Sequence, residues 1–65
     1  MKLFKDVVKS GNVYRIVNDR NHSFMESLPS SDALEKYGEC VYYGGYDSGI
    51  IEGGHEITVW LDCWN

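Results

Sequence analysis

Hydrophobic and polar positions alternate most cleanly in the last ten residues, where Ile57, Val59, Leu61 and Cys63 interleave with Glu56, Thr58, Trp60, Asp62 and Trp64. A period of two is the signature of a strand with one face in a core. The aliphatic set is therefore expected to point inward, leaving Trp60 and Trp64 on the same face as Glu56 and Asp62. A face with two tryptophans is either covered by something or meets water. Val13, Tyr14, Ile16 and Val17 give residues 12–18 the β-branched and aromatic content of another strand. The polar run Asp19-Arg20-Asn21-His22 reads as a turn into a strand at 23–28, and strand character returns at 39–43.

Two segments carry helical signals instead. Leu3, Phe4, Val7 and Val8 form the apolar stripe of a short helix at 2–10, with Gly11 where a left-handed cap belongs. Pro29, Ser30, Ser31 and Asp32, with Glu35 three places on, predict a helix at 31–37 that stops at Gly38. The expected architecture is a single α+β domain over residues 1–65, an antiparallel sheet of three to five strands with two short helices packed on one face. Phe4, Tyr14 and Tyr37 are the aromatics expected in its core.

Sixty-five residues leave no material for a second core or a deep, walled active site. No run of about 18 apolar residues is present to cross a bilayer. The opening Met-Lys-Leu-Phe-Lys stretch is broken by Asp6 and Lys9, so cytoplasmic residence is expected, with Cys40 and Cys63 as reduced thiols. The net charge of −4 is unevenly spread. Residues 1–31 carry five basic and three acidic side chains, and residues 32–65 carry one basic and seven acidic. That asymmetry disfavours direct nucleic-acid binding, which relies on Lys and Arg, and favours a basic partner.

Chemistry-bearing motifs are scarce. The stretches Gly44-Gly45-Tyr46-Asp47-Ser48-Gly49 and Glu52-Gly53-Gly54-His55 lack the lysine and following helix of a phosphate loop, so turns and bulges are expected there. His22, His55, Cys40 and Cys63 show no close ligand pair, so no metal site and no cofactor is expected. Neither cysteine sits in a basic or helix-start setting that would activate a thiolate, and no catalytic group is assigned.

What stands out is aromatic content: Tyr37, Tyr42, Tyr43, Tyr46, Trp60 and Trp64 all lie in the acidic half. Tyr and Trp are favoured anchors of protein interfaces. In size, acidity and aromatic content the chain resembles small phage and mobile-element proteins, among them anti-CRISPR and anti-restriction proteins. That resemblance implies a compact, non-enzymatic inhibitor, which in some such proteins mimics nucleic-acid charge in a groove of a defence nuclease complex. The expected function is an inhibitor or adaptor that binds a basic protein surface through Tyr46, Asp47, Glu52, Glu56, Trp60, Asp62 and Trp64. The rival expectation is a homodimer with Trp60 and Trp64 in its seam.

Overall fold

A computed structural model of the chain describes residues 1–63. A 3-10 turn at Phe4–Asp6 is followed by β1 (Val13–Asn18), β2 (Phe24–Pro29), α1 (Ser30–Tyr37), β3 (Val41–Ile51) and β4 (Gly54–Asp62). The four strands make one sheet in the order β2-β1-β4-β3. The α+β class and the strand count agree with the sequence reading, but the sheet is mixed rather than antiparallel: β1 and β4 run parallel. The reason is topological. β1–β2 and β3–β4 are each antiparallel hairpins, and α1 brings the chain back so that β3 starts in the direction of β2. β4 must then run with β1. The strand with the cleanest alternation thus lies in the sheet interior, paired on both edges.

The expected helix at 2–10 is also absent, replaced by the single 3-10 turn. Its backbone is bonded elsewhere. Leu3 bridges Val41, the Phe4 N–H donates to the Cys40 carbonyl at 2.9 Å, and the Lys5 N–H donates to the Gly38 carbonyl at 2.9 Å. Tertiary hydrogen bonds displace a nine-residue helix readily, because isolated helices that short are marginal. Asp6 closes the turn by accepting from the Leu3 N–H at 3.0 Å. The second helix forms as expected and begins at Ser30, directly after Pro29.

Alternation in β4 is inward and outward as read: Val59 and Leu61 are buried and Ile57 packs against the same cluster. They meet Tyr14 and Ile16 of β1, Ala33 and Tyr37 of α1, and Phe4. Phe4 and Tyr14 pack edge to face with ring centroids 5.1 Å apart, a favoured geometry for aromatic quadrupoles. The Tyr37 hydroxyl donates to Glu26 across the α1–β2 contact, and Lys36 pairs with the same carboxylate. α1 packs on β1, β2 and the Phe4–Asp6 turn. An eight-residue helix is only about 12 Å long, whereas the eleven residues of β3 run roughly 30 Å, so α1 cannot cover the hairpin end of the sheet.

The first glycine stretch lies within β3 and is bulged at two places, between Tyr42 and Gly44 and between Asp47 and Gly49. The second supplies the β3–β4 turn, where Gly53 has φ +85°. Gly54 is required for a different reason: a Cβ there would collide with the Gly11 carbonyl, where the N-terminal segment crosses the hairpin.

Cys40 and Cys63 form a disulfide, with Cα atoms 4.6 Å apart, which corrects the expectation of two free thiols. The register explains it. Val41 pairs with Asp62, so Cys40 and Cys63, one step outside that pair, stand opposite each other at the end of an antiparallel ladder. The Cα separation is that of facing residues in such a ladder.

Candidate binding surface

Only one face of the sheet carries α1. The other is set by parity: Val13, Arg15 and Val17 of β1, and Glu56, Thr58, Trp60 and Asp62 of β4, point away from the core. Pairing aligns these residues across the strands. Phe24, Val17, Trp60 and Gly44 make one row and Ser27, Arg15, Thr58 and Tyr46 the next. Gly44 contributes no side chain to its row, and Tyr46 from the adjacent row meets Trp60 with ring centroids 5.5 Å apart and planes at 38°. Tyr46 and Phe24 are each 52% exposed. Trp60 is half-buried.

Polar groups tie this face together. The Arg15 guanidinium stacks 5.1 Å from the Phe24 centroid and donates to Thr58 Oγ1 at 3.3 Å. Thr58 donates to Ser48 Oγ at 3.1 Å, and Ser48 bonds the Glu56 carbonyl oxygen at 3.0 Å. Arg20 donates through Nε to both oxygens of Asp62, at 2.9 and 3.0 Å. Glu56 is in no ion pair among the described residues.

Of the residues expected to bind a partner, the fold gathers Tyr46, Glu56, Trp60 and Asp62 on this face. It does not gather the rest. Asp47 pairs in register with Ile57 and lies on the opposite side, where its Oδ2 is 2.7 Å from His55 Nδ1. Glu52 sits in the β3–β4 turn. Trp64 lies outside the described residues. The face is also less acidic than the charge of its parent segment implies, because β1 and the β1–β2 turn bring Arg15 and Arg20 beside β4.

Arg15, Phe24, Ser48 and Thr58 were not singled out by the sequence. Arg15 was legible, since it alternates with Tyr14 and Ile16. Phe24 was not: a register shift between Ile16 and Val17 sets it opposite Val17 and leaves Met25 as the extra residue. No group of three or more His, Cys, Asp or Glu side chains among the described residues is arranged to hold a metal ion. No helix is long and apolar enough to cross a membrane. No protein-family model matches the chain, and no curated protein or solved structure matches it.

Proposed function

We propose that this protein is a non-enzymatic inhibitor or adaptor that docks a basic protein surface on the open face of its sheet. The observation that carries the reading is the Tyr46–Trp60 pair, partly exposed on the face opposite α1. Large, rigid aromatics with a polar surround are the common anchors of protein interfaces. Glu56 beside them and Glu52 at the hairpin turn add attraction for cations, within a net charge of −4. Asp62 contributes less field than its charge implies, being held by Arg20.

The nucleic-acid channel of a defence nuclease complex is the partner class to which the compositional resemblance points. Such a complex, immobilised, would be titrated with the protein at low and high salt, with and without a dithiol reductant. The reductant arm matters because a cytoplasmic setting would hold Cys40 and Cys63 as thiols. Salt should weaken binding, Glu56→Lys should slow association, and Trp60→Ala should speed dissociation by about 30-fold, the equivalent of ~2 kcal/mol. A partner whose affinity ignores salt and both substitutions would sink the proposal. The same open apolar face also suits a homodimer, and a light-scattering mass of twice 7.4 kDa would favour that reading.

A further inference from the structure

We propose that the cleft on the α1 side of the β3–β4 hairpin, beyond the reach of the helix, is a binding site for a small amphiphilic carboxylate. Its apolar body would lie on Val7, Ile57 and Val59, and its carboxylate would be taken by Tyr14 and Lys9. The site lies on the other side of the sheet from the Tyr46–Trp60 surface and does not depend on it.

The cleft measures about 390 Å³, within the ~300–1,000 Å³ range of small-molecule pockets. The N-terminal segment from Val7 to Asn12 forms one wall, and Tyr42, Asp47 and His55 form the other. The key group is the Tyr14 hydroxyl. Tyr14 is only 2% exposed, and its oxygen accepts from the Lys9 backbone N–H at 2.8 Å and from Asn12 Nδ2 at 3.4 Å. The Asn12 amide is oriented by its own Oδ1, which accepts from the His55 N–H at 3.1 Å. Both incoming bonds occupy the acceptor capacity of the phenol, while its proton has no acceptor among the described residues. The hydroxyl hydrogen is thus the donor that Tyr14 offers to an oxygen in the cleft.

The surrounding groups select the class of that oxygen. The Lys9 ammonium is in no ion pair among the described residues, and Ser10 adds a hydroxyl to the same wall. Donors there favour an anionic head. On the far wall the Asp47 charge is engaged by His55 Nδ1, which leaves the other ring nitrogen of His55 for a polar substituent of the ligand. Aliphatic side chains line the same cleft, so a bare inorganic anion leaves them unused.

The test is an amide-shift titration of the isotope-labelled protein with sodium benzoate, using acetate and benzyl alcohol as controls that lack the ring or the charge. Benzoate should shift the amides of Lys9, Asn12, Tyr14, His55 and Ile57 saturably at millimolar concentration, with each control at least about tenfold weaker. Tyr14→Phe should weaken benzoate about tenfold, and the exposed Lys9→Gln several-fold; if Tyr14→Phe fails to fold, Lys9→Gln decides. The absence of saturable shifts, acetate or benzyl alcohol binding as tightly as benzoate, or affinity unchanged by Lys9→Gln would overturn the assignment.

Discussion

The two faces of the sheet draw on the same strands and end in opposite states. The face under α1 and the N-terminal segment holds Tyr14, Ile16, Val59 and Leu61, all buried. The face turned away holds Tyr46 and Phe24, half exposed, around a half-buried Trp60. Both are rich in apolar side chains, so hydrophobicity alone does not distinguish them. What separates them is the cover on one side, the eight-residue α1 together with the N-terminal segment around Phe4. Burial is therefore heavier on the covered face, while the other exposes Tyr46 and Phe24 around a buried Thr58 and Val17.

Substitution of matched β4 positions should expose that division most sharply. Leu61 is fully buried, so Leu61→Ala should cost about 2–5 kcal/mol from lost transfer energy and the cavity left behind. Trp60→Ala, one residue away, should cost less stability while weakening the proposed partner binding about 30-fold. Urea unfolding of both variants measures this, and equal losses would mean that the open face is part of the core.

The next largest effect belongs to the disulfide, which fastens the end of β4 to the connection between α1 and β3. With its cysteines 23 positions apart in sequence, the restricted unfolded chain accounts for about 3 kcal/mol of stability in the chain-entropy model. Reduction should lower the melting temperature accordingly. Titration of two free thiols in the oxidised, denatured protein would show that the bridge does not form.

The smallest effect is a pH dependence confined to the covered face. Burial, reinforced by the hydrogen bond to Glu26, pushes the Tyr37 hydroxyl from 10.0 up to about 12. The phenol binds its proton more tightly in the fold than in the unfolded chain, so its contribution is whole below pH 10 and is lost as pH rises toward 12. Glu26 is shifted the other way, held below the usual carboxylate range by hydrogen bonds from Lys36 and then Tyr37. Its contribution is present above its ordinary value and fades as pH falls through the lowered one. In a tyrosinate absorbance titration Tyr37 should ionise late, near pH 12, and Tyr37→Phe should remove that component. A titration in which no tyrosine lags would place Tyr37 in a wetter setting, with its contact to Glu26 open.

Local pattern was enough for the elements whose chemistry is local. The alternation of β4, the β-branched content of β1, the Pro29–Ser30 helix start and the glycine turn at Gly53 were all readable, because each depends on residues within one strand, turn or helical cap. The same alternation put Trp60, Glu56 and Asp62 on one face. Pairing between distant segments was not readable. It turned 2–10 from a helix into backbone bonded to Gly38 and Cys40, set Cys40 against Cys63, and laid β1 parallel to β4, so that Arg20 neutralises Asp62. The charge halves of the sequence are thus interleaved in space, because charge along a chain is a local quantity whereas the field at a surface depends on which strands lie side by side.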